Sequence, residues 1–512
     1  MGKKDYLINL VNAMTKSEKR YLTLFAGLQK KDNQYLELFS LINHGKELKT
    51  SPKHGTEKPY KQSQQRKYLS EQILRALRLY NENLSTNIII QNGLSEIEVL
   101  YEKRQGFFCQ EKIREVKALA QEYEKFGLLL QVYEWERKLK YILDKPERTE
   151  TEISADENIT LQKKLNVLNY ERLFGTTLEF KKKYGFIKGK HLDELKREVI
   201  DHPLMGDRKE CKSFKALFYF LYGNTLCRWI MQDHVSAYGF SCELIDLDPK
   251  LIGDEEYFNG FLEHITSCVS MGYYDEVLTL LERAESLLGS KVIHPHPVLK
   301  TRLFYYRSNY TILAHLNMGN RVLLERAVND VETELSEYES LINEEIKIIV
   351  NSSLRNAYFF LGNYKKALEK MNDILLQANE SFRKDVYEDT ILFSLFYWLE
   401  VREGDLFASS LASARRYFQL QKKNVEQPYE FELQMINLLR SVKDVTDLSY
   451  RQELLPKIES MILMASRQEG INNYIEHLFI HLFWARSRYR GTDYFDEARS
   501  WYEKHMKVKK AG

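Results

Sequence analysis

Apolar positions along this chain recur three and four residues apart rather than on alternate residues, the period of an amphipathic helix and not of a strand. Near the N-terminus the stripes run Tyr21, Leu24, Phe25 and Leu28, then Tyr35, Leu38, Phe39 and Ile42, then Leu69, Ile73, Leu77, Tyr80 and Leu84. Thr15-Lys16-Ser17-Glu18 has the spacing of a capping box and predicts a helix start ahead of the first stripe. Residues 44–60 have no apolar period and contain two Gly and two Pro, which predicts a loop. Three more helices are expected between Ile88 and Leu143, with breaks near Gly106 and Gly127. The stretch Asp144 to Asn158 is acidic, rich in Thr and carries Pro146, so a connector is expected there, with helices resuming at Ile159.

The second half repeats one pattern, a short Gly-centred turn between two helical stripes followed by a small residue. Its clearest copy is Leu354, Tyr358, Leu361-Gly362-Asn363-Tyr364-Lys365-Lys366-Ala367, Met371 and Ile374. Related turns stand at Gln232-Asp233-His234, Met271-Gly272-Tyr273, Met318-Gly319-Asn320, Glu403-Gly404-Asp405 and Gly491-Thr492-Asp493, and successive Gly turns from 272 onward lie 47, 43 and 42 residues apart. Such recurrence predicts a stacked array, because a single helical hairpin cannot bury its apolar face alone.

Gly362, Tyr364, Ala367, Met371 and Ile374 resemble the turn Gly, second-helix aromatic, small packing residue, large residue and closing apolar residue of the tetratricopeptide-repeat family. Asp233, His234, Ala237 and Pro249 are similar to the family's end-of-repeat spacing, whereas Val277 and Leu324 stand where the family has Ala. The resemblance covers roughly residues 210 to 505, and Thr15 to Tyr21 also resembles the start of a group of bacterial repeat proteins without an assigned activity. It implies an all-α chain, an α-solenoid of stacked helical hairpins whose concave face, lined by the first helix of each hairpin, holds a protein or peptide segment. The groove positions it implies are Asn309, Ser352, Asn356, Phe359, Trp398 and Arg402. The expected organisation is a basic helical head over 1–86, a helical hairpin segment over 87–143, the acidic connector over 144–158 and the solenoid over 159–512.

Composition narrows this picture. A chain of 512 residues exceeds what one core supports, 44% apolar residues exclude a disordered protein, and only 9 Pro and 23 Gly favour long helices. The 33 Tyr and 26 Phe read as rings filling the spaces between helices. Cys109, Cys211, Cys227, Cys242 and Cys268 are odd in number and scattered, which reads as reduced packing residues in a cytoplasmic protein. The N-terminus lacks a signal-peptide core, and the most apolar stretch, Ile391 to Leu399, is about half of the ~20 residues a membrane span needs.

Charge is divided unevenly. Residues 1–85 hold 16 Lys or Arg against 8 Asp or Glu, while the remainder is mildly acidic. Arg66, Lys67, Arg75 and Arg78 on the helix that follows the loop, with loop lysines 46, 49, 53 and 58, are candidate phosphate contacts, and nucleic acid is the alternative partner class.

Catalytic chemistry finds no foothold. His477 and His481 lie one helical turn apart, but no Glu follows His477 and no third ligand can be placed; His294 and His296 alternate with prolines. Gly185-Phe186-Ile187-Lys188-Gly189-Lys190 is one residue short of a phosphate loop and lacks the following Ser or Thr. Pairs such as Glu344-Glu345 fit solvated helix faces. No active site, metal site or cofactor is expected, and the function expected from the whole is a non-enzymatic scaffold, with a nucleic-acid-binding regulator as the second reading.

Overall fold

The computed structural model describes residues 3–28, 34–44, 59–83, 85–143, 147–184, 190–289, 297–339, 341–378, 383–425, 429–465 and 479–509. Among them every regular element is helical and there is no strand, and no helix is long and apolar enough to cross a membrane. The expected loop over 44–60 falls almost wholly outside these residues, as do lysines 46, 49, 53 and 58, His294, His296, His477 and residues 185–189. The chain divides into two compact units, 1–162 and 163–512.

The first unit holds two small cores. Helices Lys3–Ala13, Lys16–Leu28, Gln34–Asn43 and Pro59–Tyr80 bury Leu7, Val11, Leu22, Ala26, Tyr35, Phe39, Leu69 and Ile73 against one another. The capping box at the second helix forms as the spacing predicts: Thr15 N–H donates to Glu18 Oε2 at 2.7 Å and Glu18 N–H to Thr15 Oγ1 at 3.2 Å. The buried stripe is rotated from the expected one. Leu22 and Ala26 are core and Leu24 faces solvent, because a short Ala allows the close approach that a Leu would block.

Helices Thr86–Glu102, Gly106–Glu122 and Phe126–Leu139 form the second core around Ile97, Ile113, Val132 and Tyr133. The breaks lie where expected, but neither Gly makes the turn. The left-handed residues are Arg104 and Glu124, with φ of 56° and 49°. A non-Gly residue pays roughly 1 to 2 kcal/mol for that conformation, so Arg104→Gly at this exposed position is expected to raise stability by about 0.5 to 1 kcal/mol. Denaturant unfolding followed by circular dichroism checks it, and an unchanged or lower midpoint would show that the backbone there carries no strain.

The acidic connector is a correction. Residues 150–158 are not a linker but the first turns of a helix of 35 residues, Glu150–Tyr184. Thr149 and Glu152 form a second capping box, with Thr149 N–H donating to Glu152 Oε2 at 2.7 Å. Three acids of this segment are paired with cations, Arg137 holding Glu150 at 2.8 Å and Glu157 at 2.5 Å and Arg148 holding Asp156 at 2.6 Å, and Arg148 also reaches Glu136 of the preceding helix at 2.8 Å. Negative charge at a helix N-terminus is stabilised by the helix dipole, so an acidic Thr-rich run is also a helix start.

The second unit is built from consecutive hairpins. Helices Phe214–Ile230 and His234–Ile245 pair, followed by Asp254–Met271 with Tyr274–Gly289, Pro297–Asn317 with Arg321–Tyr338, Glu344–Phe360 with Tyr364–Gln377, and Lys384–Val401 with Gly404–Val425. The first helix of each hairpin also packs on the first helix of the next, from Phe214–Ile230 through Lys384–Val401. Ala367 is fully buried, as are Val277 and Leu324, so the larger residues occupy the same kind of position.

One turn chemistry recurs in both units. The residue at 104, 124, 232, 272, 319, 362, 402 or 491 has positive φ, and the N–H after it donates to the carbonyl five residues back, at 2.8 to 3.1 Å in all eight turns. This is the bond of a Schellman motif. Glycine supplies the conformation in only four of them. In the fifth hairpin Gly404 is the first residue of the next helix and Arg402 makes the turn.

The last hairpin leaves this nearest-neighbour order. Helices Phe479–Arg490 and Tyr494–Lys509 fold back onto the middle of the unit. Tyr502 Oη donates to Asp275 Oδ2 at 3.0 Å, Arg499 Nη2 donates to Gly319 O at 2.8 Å, and the Tyr494 ring stacks on Phe360 at 4.2 Å. One helix therefore touches the turn ends of three earlier hairpins.

Candidate partner-binding face

In the second unit, the latter part of helix Glu150–Tyr184 and the first helices of three hairpins bring aromatic and charged side chains together, with Tyr219, Tyr222 and Glu263 buried and Lys215, Trp229, Arg302, Tyr305, Tyr306 and Tyr310 half-buried. Helix Phe214–Ile230 contributes Lys215, Tyr219, Tyr222 and Trp229, and helix Asp254–Met271 contributes Glu256, Asn259, Glu263, Thr266 and Ser270. Both sets follow the three- and four-residue steps of a single helix face. Helix Pro297–Asn317 adds Arg302, Tyr305, Tyr306 and Tyr310.

Contacts across these helices tie the groups into one face. Phe174 lies 4.6 Å from the Tyr222 ring and 5.4 Å from Tyr219. Lys215 Nζ and Tyr219 Oη both donate to Glu256 Oε1, at 2.9 and 3.2 Å. Tyr222 Oη donates to the Asn259 carbonyl at 3.3 Å, and Arg302 bonds the Asn259 side chain. Lys181 sits over the Trp229 ring at 4.6 Å and reaches both oxygens of Glu263, at 2.8 and 2.9 Å, while Trp229 Nε1 donates to Ser270 Oγ at 3.2 Å. Tyr305, Tyr306 and Tyr310 form a run of edge-on rings at 5.1 and 5.4 Å, and Tyr310 Oη meets Thr266 Oγ1 at 3.1 Å.

Electrostatics here favours neutral donors. Desolvation, with Glu263 close by, raises the Tyr306 phenol well above its ordinary value, and desolvation raises Tyr305 to about 12. Both rings are half-buried, and neither hydroxyl bonds another described residue. Three cations, Lys181, Lys215 and Arg302, stand beside three acids, Glu255, Glu256 and Glu263. A face so balanced has no excess charge to attract a polyanion, but it offers ring surface and hydroxyl donors to a chain with carbonyls and mixed side chains.

The residues expected from the repeat resemblance are scattered by comparison. Asn309 lies on this face and accepts a 2.5 Å bond from Ser353 Oγ. Ser352 is half-buried, and Asn356 Oδ1 is taken up by Arg355 Nε and Nη2 at 3.1 and 2.8 Å. Phe359 is 3% exposed and packed among Phe360, Phe393 and Tyr397, so it is core and offers no open anchor. Trp398 is packed against the same core, and Arg402 is the exposed left-handed residue of a turn. Phe359 is a correction because the first helix of the next hairpin packs over it through Phe393, and Arg402 is another because Gly404, which marks that turn in the sequence, is instead the first residue of the next helix.

Beside Phe359 the chain also covers its own surface. His481 stacks on Phe396 at 4.4 Å, Trp484 Nε1 donates to Glu400 Oε2 at 3.0 Å, and Arg488 reaches Glu400 at 2.7 Å. That side of helix Lys384–Val401 is therefore closed by helix Phe479–Arg490. His481 is a buried packing residue whose pKa burial lowers to about 4.

In the head, Lys67, Arg75 and Arg78 are exposed and share one side of helix Pro59–Tyr80 with Glu71, whose carboxylate is 3.9 Å from Lys67. Arg66 is half-buried on the flank of the Leu69 and Ile73 stripe, away from that row.

Sequence reasoning missed the tyrosines because a Tyr-rich composition is the mark of ring-filled cores. The available signal was their placing on consecutive first helices, at 219 and 222 and then at 305, 306 and 310. No family model, no curated protein and no solved structure matches this chain.

Proposed function

We propose that the protein is a non-enzymatic interaction module, a TPR-like array of helical hairpins that holds an extended segment of a protein partner across the tyrosine face of residues 174–310. The observation that carries this reading is the pair of half-buried rings Tyr305 and Tyr306, whose hydroxyls bond nothing else described. Rigid aromatic side chains with a polar tip supply much contact area for little lost rotamer freedom, and the phenol donors suit the carbonyls of an extended backbone.

Selection of a random peptide library on the full chain tests it. Enriched peptides should lose roughly tenfold or more in affinity with Tyr306→Ala, the scale of an aromatic hot spot. Tyr306→Phe should recover the ring's share and not the hydroxyl's. If no peptide is enriched over a Tyr305→Ala, Tyr306→Ala double variant, the reading fails.

A second reading, nucleic-acid binding through a basic head, is favoured by the exposed row Lys67, Arg75 and Arg78. Three phosphate contacts would give binding whose logarithm falls with the logarithm of salt at a slope of about −2 to −3. Fluorescence anisotropy of a labelled oligonucleotide with the full chain decides it, and absence of binding at low salt removes it.

A further inference from the structure

Apart from the tyrosine face, one cluster brings together three donor atoms of the kinds that bind metals. His264 and Cys268 are one turn apart on helix Asp254–Met271, and Glu276 stands in the first turn of the next helix, Tyr274–Gly289. Their ligand atoms all lie within 4.8 Å of one another. His264 Nε2 is 3.6 Å from Cys268 Sγ and 4.0 Å from Glu276 Oε1. Two ligands held by tetrahedral zinc, with bonds of about 2.1 Å to nitrogen and 2.3 Å to sulfur, are about 3.5 Å apart.

The hydrogen bonds around the imidazole fix which nitrogen faces the cluster. Ser241 Oγ has one proton and donates it to the Tyr238 carbonyl at 2.8 Å. Its contact with His264 Nδ1 at 2.9 Å must then run from Nδ1–H to the hydroxyl oxygen. Nε2 is left with a lone pair aimed at the thiol and the carboxylate. A hydrogen bond to the far nitrogen is how metal-ligating histidines are oriented and their tautomer set. The Tyr238 ring stacks on the imidazole at 5.7 Å, and burial keeps the ring neutral, with a pKa of about 4.

Access and charge also fit. His264 and Cys268 are almost fully buried, but the Glu276 side chain is 38% exposed and gives the site an opening. One thiolate and one carboxylate neutralise a divalent cation, so the loaded site adds no net charge beside Arg283, which lies over the Phe261 ring at 5.3 Å. Half-buried Cys242 lies near both Glu276 and Cys268.

We propose that His264 Nε2, Cys268 Sγ and the Glu276 carboxylate bind a thiophilic divalent cation of the zinc type, with the fourth position open toward Cys242 and solvent. A mixed nitrogen, sulfur and oxygen set selects such an ion over magnesium or calcium. On binding, the Cys268 S–H bond breaks, a sulfur–metal bond forms, and the proton leaves to solvent.

The test uses the full chain stripped of metal by a chelator and titrated with cobalt(II) alone, followed by absorbance. The expected result is saturation at one equivalent, with a thiolate-to-cobalt charge-transfer band that zinc abolishes. Cys268→Ser should weaken binding at least tenfold and diminish the band, and Ser241→Ala, which removes only the orienting hydroxyl, should weaken it about 10- to 100-fold. Glu276→Gln, half-exposed and so safe for folding, should also weaken it at least tenfold. The proposal is overturned if wild type shows no charge-transfer band in excess cobalt, or if affinity is unchanged in a folded Glu276→Gln or Ser241→Ala protein.

Discussion

Gly319→Ala is expected to be the most damaging small substitution in the second unit. Gly319 has φ of 66° in the turn before helix Arg321–Tyr338, and a Cβ there would run into the Phe495 carbonyl and stand 2.6 Å from Arg499 N and 2.9 Å from Arg499 Cβ. These atoms are backbone, or fixed to it, so no rotamer change relieves them. The left-handed conformation costs Ala roughly 1 kcal/mol or more, and separating a packed helix adds about 1 to 3 kcal/mol. A matched control exists in Gly362, with φ of 82° in an equivalent turn and nothing within 4 Å of the Cβ position. Gly362→Ala should therefore show the conformational cost alone, about 1 kcal/mol. Thermal unfolding of both variants, with hydrogen exchange of amides in 494–509, separates the two contributions. Equal losses would mean that helix Tyr494–Lys509 does not rest on this turn.

The second large effect concerns a buried cation. Arg355 is 1% exposed on helix Glu344–Phe360. Its guanidinium donates to Asp389 Oδ2 and Thr390 Oγ1, both at 2.7 Å, and lies 4.1 Å from the Phe393 ring centre. Removing one partner of a buried pair costs about 3 to 5 kcal/mol when the ion left behind has lost its water and its counter-charge; the guanidinium is that ion here, whereas the Asp389 side chain is 29% exposed and can regain water when Arg355 is replaced. Asp389→Ala, which strands the guanidinium, should thus destabilise by about 3 kcal/mol, and Arg355→Met should cost clearly less. Urea unfolding of the two variants provides the comparison. A larger loss for Arg355→Met would show that the cation is held by its neutral neighbours, Thr390, Asn356 and Phe393, rather than by Asp389.

What could be read from the sequence was set by how local its cause is. Thr15 and Glu18 announce a helix start through two bonds within four residues, and Gly272, Gly319, Gly362 and Gly491 announce turns because their backbone conformation favours a residue without Cβ. Arg104, Glu124, Gln232 and Arg402 adopt the same conformation against their preference. The turns themselves are legible from nearby Gly or polar residues, but the residue that makes each one is not, and in the fifth hairpin the groove position falls on a turn residue. Charge misled in the same way at 150–158, where Arg137 from the preceding helix and Arg148 just ahead of this one make an acidic run a stable helix start. Lys181 with Glu263 is 82 residues apart in sequence. Such pairs belong to the tertiary fold, and no spacing rule reaches them. His264 and Cys268 did have a local signal, four residues on one helix, but their third member belongs to the next helix.

Helix Tyr494–Lys509 has a kinetic consequence. In an array where each hairpin touches only its neighbours, structure can nucleate anywhere and spread one repeat at a time, and the ends fray independently. Here the bond from Tyr502 to Asp275 spans 227 residues and that from Arg499 to Gly319 spans 180. Contacts of such sequence separation form only after the intervening chain is ordered, so they raise contact order and slow the final step. Once made, they convert a row of locally stable pieces into a closed ring of dependencies, in which opening one hairpin strains the helix that braces the others.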